Sequence, residues 1–158
     1  MQTIHRHTAQ ILHLGYDYDT FVDTVYRLRQ CEIEVCAHMI LGLPGEDRKD
    51  MLQTGQALAH LPLQGVKIHL LHIMKNTGLL LLYRRGELSF LDMNEYVGLV
   101  VDILEMLPPT VVIHRLTGDG PKDQLIGPCW SLNKLKVLHS IDQELERRNS
   151  WQGKYHTC

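Results

Sequence analysis

Apolar positions along the chain alternate between short continuous runs and stripes of helical spacing, and this rhythm predicts strands alternating with helices. A weak helix is expected over residues 3–14, ended by Gly15. A stronger one follows from an Asp17 or Asp19 cap to Gln30, with Phe21, Val22, Val25 and Leu28 on one stripe. The run Ile33 to Leu41 reads as a strand, stopped by Gly42-Leu43-Pro44-Gly45. Glu46-Asp47 then opens a helix to about Leu61, with Met51, Leu52, Leu58 and Ala59 inward and Pro62 beyond its end. A second strand is expected over 66–72 and a short helix over 79–85. The clearest helix starts at Asp92, where Glu95 gives capping-box spacing. It carries Tyr96, Leu99, Val100, Ile103, Leu104 and Leu107 inward and ends at Pro108-Pro109. A third strand over 110–115 and a last helix from a Ser131 cap to Arg148, with Leu135, Leu138, Ile141 and Leu145 as its buried line, complete the order.

Strands separated by helices imply parallel pairing with right-handed crossovers. The fold class is therefore α/β, with about three parallel strands and flanking helices. Residues 1–148 form one domain, and 149–158 a polar tail expected to be mobile. Three strands make a small parallel sheet with a bare edge, which points to part of a larger barrel or sheet.

Period-two alternation puts Cys36, His38 and Ile40 on one face of the first strand, with Val35, Ala37, Met39 and Leu41 on the other. In the second strand Lys67, His69 and Leu71 share a face. If helices cover the outside, His38, Lys67 and His69 point into a lumen, where a Lys needs a partner. Each His taken singly could equally be a core residue bonding a carbonyl. The G-L-P-G turn offers close backbone approach beside a helix start or is simply a tight βα turn. It lacks the Lys and Ser/Thr of a phosphate loop. The segment Thr117-Gly118-Asp119-Gly120-Pro121 lies beside His114-Arg115 and has the same two readings.

Composition narrows the classes. A length of 158 residues fits one domain with a sizeable core, and 44% hydrophobic with 22% charged residues is ordinary for a globular chain. A net charge of −2 leaves no electrostatic footprint for nucleic acid. No apolar run is long enough to cross a membrane and the first residues are no signal peptide, so the expected location is cytoplasmic. Cys31, Cys36, Cys129 and Cys158 read as reduced thiols, and the Cys31-x4-Cys36 spacing is not that of a zinc knuckle, so no metal ligands are expected. No Ser-His-Asp arrangement, HExxH or GxGxxG is present.

Five blocks in order, G-Y-D-Y-D-T-F-V-D, E-V-C-A-H-M-I-L-G-L-P-G-E, G-V-K-I-H-L-L-H, V-I-H-R-L-T-G-D-G-P and W-S-L-N-K, resemble the carboxyl-terminal half of radical S-adenosylmethionine (SAM) proteins of the YhcC/YtqA type, relatives of the Elongator catalytic subunit. The resemblance spans nearly the whole chain. It implies the carboxyl-terminal half of a partial (β/α)6 TIM-like barrel. Its lumen would hold SAM and a [4Fe-4S] cluster that cleave SAM reductively to a 5′-deoxyadenosyl radical for substrate modification, with a tRNA wobble uridine as a candidate substrate. Carried over by position, Gln2 ends the preceding barrel strand near the methionyl part of SAM, and His38 faces the ribose. Ile40, Gly42 and Leu71 line the adenine side. Lys67, His69, His114 and Arg115 are candidates for the substrate lumen.

Two positions depart from the family pattern. No three cysteines have the C-x3-C-x2-C spacing, and a [4Fe-4S] cluster that binds SAM needs three thiolates. Leu14 stands where relatives carry an Arg that could pair the SAM carboxylate. The expectation is a radical SAM fragment, inactive alone, that self-associates or pairs with a cluster-bearing half. The alternatives are a non-catalytic assembly module using its open sheet edge, and a small α/β enzyme using Lys67 and His69 as an acid–base pair.

Overall fold

The computed structural model describes residues 1–118 and 120–157; Asp119 and Cys158, both singled out above, lie outside the described residues. The order is α1 (Arg6–Ile11), α2 (Tyr18–Gln30), β1 (Cys36–Leu41), α3 (Arg48–Ala59), β2 (Gly65–Leu70), β3 (Ile73–Met74), α4 (Gly78–Arg84), α5 (Met93–Met106), β4 (Val112–Arg115), β5 (Leu125–Gly127), a 3-10 turn (Cys129–Leu132) and α6 (Lys134–Arg147). The helix starts follow from side-chain caps that satisfy free backbone N–H groups. Asp17 accepts from the Thr20 amide, and Asp47/Asp50 and Asp92/Glu95 form reciprocal capping boxes. Asn133 caps α6, while Ser131, expected to do so, is buried in the 3-10 turn.

The main sheet is parallel with order β1-β2-β4, and its register aligns Cys36 with Gly65, His38 with Lys67 and Ile40 with His69. Three parallel strands with flanking helices form an α/β fold that fits a partial barrel. One face, carrying Ala37, Met39, Leu41, Val66, Ile68 and Leu70, is buried in a core shared with Val25 of α2, Met51 and Leu58 of α3, most of α5, and Val137 and Ile141 of α6. A second, two-stranded sheet pairs β3 with β5 antiparallel. With α4 it encloses a small cluster of Ile73, Leu80 and Leu88. Runs of two and three residues are too short to register as strands in the sequence pattern.

An ion-pair network binds the outer helices. Arg148 pairs with Asp102 at 2.6 Å, Glu144 at 2.7 Å and the buried Glu105 at 3.5 Å, and Arg48 reaches the same Asp102 from α3.

Two expectations are corrected. Residues 149–158 do not form a loose tail: the described part is tied along α5. Pro108 and Pro109 have no N–H to give to the carbonyls of Leu104 and Glu105, four residues earlier. The amides of Gly153 and Tyr155 donate to them instead, at 2.9 and 2.8 Å. Gln152 Nε2 adds bonds to the carbonyls of Pro108 and Val111. The buried line of α6 also differs. Val137 and Ile141 are buried, whereas Leu135 is 81% exposed and Leu138 39%. Helical spacing admits both lines through Ile141, and packing against α5 selects one. Accordingly Ile141→Ala is expected to cost about 2–5 kcal/mol. Leu135→Ala should stay within about 0.5 kcal/mol. Urea midpoints at constant m-value check both, and equal losses would refute the assignment.

Candidate functional site

Alternation along β1 leaves Cys36 and His38 exposed and Ile40 half-buried, opposite the buried Ala37, Met39 and Leu41. In β2, Lys67 and His69 are half-buried between buried neighbours. The face turned away from the helices therefore carries Cys36, His38, Ile40, Lys67 and His69. The His38 and His69 rings stack at 5.7 Å between centroids with 19° between planes.

β4 departs from simple alternation. The register slips between Val66 and Lys67, so that Gly65 aligns with Val112 but Lys67 with Arg115. Such a bulge places consecutive residues against one neighbouring row. His114 leans over Gly65: a Cβ built on that glycine would meet His114 Nε2 at 2.5 Å and Cys36 Sγ at 3.2 Å. Arg115, one residue on, is close enough to perturb both His38 and His69. Gly65 is thus required by the ring laid across it, a demand visible only once β4 is in place.

The electrostatics of this face are positive. Burial, then the charge of Lys67, lowers the His38 pKa. Burial, then Arg115, His38, Lys67 and His72, pushes His69 down to about 4. Both rings are neutral at pH 7. The His69 Nε2 atom is buried with no hydrogen-bond partner among the described residues. Burial raises the Cys36 thiol, which Lys67 partly opposes.

At the carboxyl ends of the strands, the Ile40 amide donates to the carbonyl of Gln2 at 3.1 Å, and Tyr16 donates to the Gln2 side chain at 3.3 Å. The segment holding Gln2 is fixed in turn by Glu46, whose Oε1 accepts from Thr3 Oγ1 at 2.5 Å. Burial raises the Glu46 pKa, against the lowering effect of bonds from Thr3 and Thr8. Gly42 adopts φ +82°, which favours glycine, and its open side is approached by Leu91 at 3.3 Å and by Leu71. The cavity they border with Phe90 and Pro128 is about 10 Å³, room for no more than a water. Gly42 and Leu71 therefore meet, but across a packed contact.

Sequence reasoning missed a second constellation at this end. His72 Nε2 lies 3.0 Å from Ser131 Oγ, which donates to the Pro128 carbonyl at 2.7 Å. A Cβ at Gly118 or Gly120 would meet the His72 ring at 2.5 or 3.1 Å, so both glycines lie close against the imidazole. The G-x-G spacing after the third strand is the signal that could have suggested a close approach. Trp130 packs at a tilt against the buried Tyr96, with 5.3 Å between ring centroids, and donates to the Leu91 carbonyl.

The arrangement, a parallel half-sheet with helices on one side and imidazoles and cations on the other, is that of a barrel wall seen from its lumen. The Radical_SAM C-terminal domain profile matches residues 63–147. The chain belongs to this radical SAM family. Among its relatives, YtqA of Bacillus subtilis (strain 168) is 48% identical over 155 residues, covering 98% of this chain and 48% of YtqA. Protein MJ0486 of Methanocaldococcus jannaschii is 38% identical, covering 97% of the chain and 48% of that protein. YhcC of Escherichia coli (strain K12) is 29% identical, covering 92% and 47%. The radical SAM chain thus spans about half the length of the curated relatives it matches. The solved structure of the archaeal Methanocaldococcus infernus Elp3 with an N-terminal deletion superposes with a TM-score of 0.83 at 15% identity. It covers 96% of the chain and 35% of Elp3, and the likeness is one of fold. No helix among the described residues is long and apolar enough to cross a membrane.

Because His38, His69 and His72 are all held low, the unfolded chain binds protons that the folded chain refuses. Their contribution to stability is complete above pH 6.5 and is lost as pH falls toward about 4, with the slope set by the proton difference. Urea unfolding between pH 7 and 4 should show this fall, and His69→Gln should flatten it. A profile unchanged by His69→Gln would count against the buried neutral ring.

Proposed function

We propose that the chain supplies the SAM-side wall of a cytoplasmic radical SAM enzyme. The observation that carries this reading is the two-faced sheet, whose open face presents His38, Lys67, His69, His114 and Arg115 in adjacent rows. The residues fit SAM. His38 is exposed with its pKa lowered by burial, a neutral ring nitrogen can accept from a ribose hydroxyl, and His69 Nε2, unpartnered among the described residues, lies on the same face. Gln2, anchored on β1 through its carbonyl, would hold the methionyl end, and Ile40, Gly42 and Leu71 would line the adenine side. SAM, when bound and reduced, supplies hydrogen-atom abstraction from a substrate. A tRNA uridine is the substrate class that the family likeness supports.

The [4Fe-4S] cluster does not fit these residues. Cys31, Cys36 and Cys129 lie on separate elements, and no group of three or more His, Cys, Asp or Glu among the described residues could hold a metal ion. Three thiolates from outside this stretch would have to complete the site, which makes a cluster-bearing half the natural partner. A second reading, a non-catalytic assembly module, is favoured by the edge strand β4, where Val112 is 57% exposed.

Calorimetric titration of SAM into the chain mixed with the half of YtqA that it does not match tests the first reading. Saturable binding is expected, weakened about tenfold by His38→Ala, a change of about 1.4 kcal/mol. Complex formation without SAM binding would favour the assembly module and overturn the SAM wall.

A further inference from the structure

We propose that the outer face of α6 is a self-association surface, on which two copies of this chain pair antiparallel about a two-fold axis near His139. The pairing does not depend on the SAM-wall reading.

Packing against the core takes Val137 and Ile141 and turns Leu135 and Leu138 outward. Leu132, in the 3-10 turn just before α6, is 40% exposed and continues their three-residue spacing. A single exposed leucine is ordinary, but an apolar ridge rimmed by charge marks an interaction surface. The charge on the two ends of this ridge differs in sign. At the amino end a groove floored by Trp130, Leu132 and Leu135 is edged by Lys122, Lys134 and Lys136, and no carboxylate lines it among the described residues. At the carboxyl end a second groove is formed by Asp142, Leu145, Glu146 and the turn after α6, with no cation lining it among the described residues. Lys134 already interacts within the chain, and Glu144 is taken by Arg147 and Arg148. The exposed side chains of Lys122, Lys136, Asp142 and Glu146 have no hydrogen bond or ion pair among the described residues, so the pairing rests on these four.

A two-fold axis across the middle of α6 lays the basic end of one copy on the acidic end of the other, and does so twice. Parallel pairing would set like charges together. The complementarity is internal to one helix, which selects a second copy as the occupant. Because α6 packs on the core side of the sheet, the pair leaves the open face accessible. The 14 residues of α6 make a strip roughly 21 Å long and about 10 Å wide, well short of the roughly 800 Å² per partner of a standard stable interface. The dimer is therefore reversible, half-formed at a concentration of about 0.1 mM. Dilute chain is monomeric, so Leu135→Ala stays neutral in the urea measurement above while the ridge remains available for pairing.

The test is sedimentation equilibrium of the full 158-residue chain, with reductant present, from about 10 μM to about 1 mM. A monomer–dimer equilibrium that weakens as salt is added is expected. Leu135→Glu should weaken it about tenfold or more, with an unchanged urea midpoint in dilute solution showing an intact fold. The pair of changes Lys122→Glu and Lys136→Glu makes both ends of the ridge acidic, and the pair Asp142→Lys and Glu146→Lys makes both ends basic. Each double variant alone should stay monomeric, whereas an equimolar mixture of the two should recover dimers containing one copy of each. That recovery is particular to the antiparallel arrangement. A wild-type chain monomeric throughout, a dimer indifferent to Leu135→Glu, or a mixture that associates no better than its components would overturn the proposal. A monomeric wild type whose pairing with the unmatched half of YtqA is weakened by Leu135→Glu would assign the ridge to that half and overturn it as well.

Discussion

Burial of Ala37, Met39, Leu41, Val66, Ile68 and Leu70 beneath the helices determines where every other side chain of the main sheet can go. Once those six are committed to the core, the pleat forces Cys36, His38, Ile40, Lys67 and His69 to the opposite side, and a one-residue slip of either strand would bury the polar set. That constraint leaves the open face polar. Polar groups persist there because the helices occupy only one side, and the neutral imidazoles result from burial combined with neighbouring cations.

The loops at the carboxyl ends depend on this sheet in turn. Leu91 closes on Gly42, Trp130 on Leu91 and Tyr96, and Gly118 and Gly120 on His72. Each contact uses either a residue with no side chain or an aromatic ring whose polar atom finds a carbonyl or hydroxyl. The result is a packed rim around an open floor, with Glu46 and Thr3 fixing the strand-side segment that carries Gln2.

Much of this was legible in the sequence, and the parts that were not share a cause. Period-two alternation gave the faces of β1 and β2 because one side is fully covered. The long helices were legible because Asp17, Asp47 and Asp92 announce their starts. Strands β3 and β5, the buried line of α6, the β4 bulge and the His72–Ser131 contact were not, since each is decided by a partner distant in sequence. The bulge matters most: simple alternation would send His114 and Arg115 to opposite faces, whereas the register slip brings both to bear on the same row. The family blocks assigned candidate roles to Gln2, His38, Ile40, Gly42 and Leu71, but could not show that Leu91 occupies the space beside Gly42.

The last residues of the chain bear on where this domain ends. Pro108 and Pro109 stop α5 and strip its final turn of two internal donors, so the helix is completed only when Gly153 and Tyr155 arrive. The stretch matched by the family profile stops at residue 147, short of both. The packed unit is therefore longer than the stretch that the profile matches. Residues beyond the profile match act as the missing hydrogen-bond donors of its most buried helix, and a boundary placed at Arg148 would separate that helix from them.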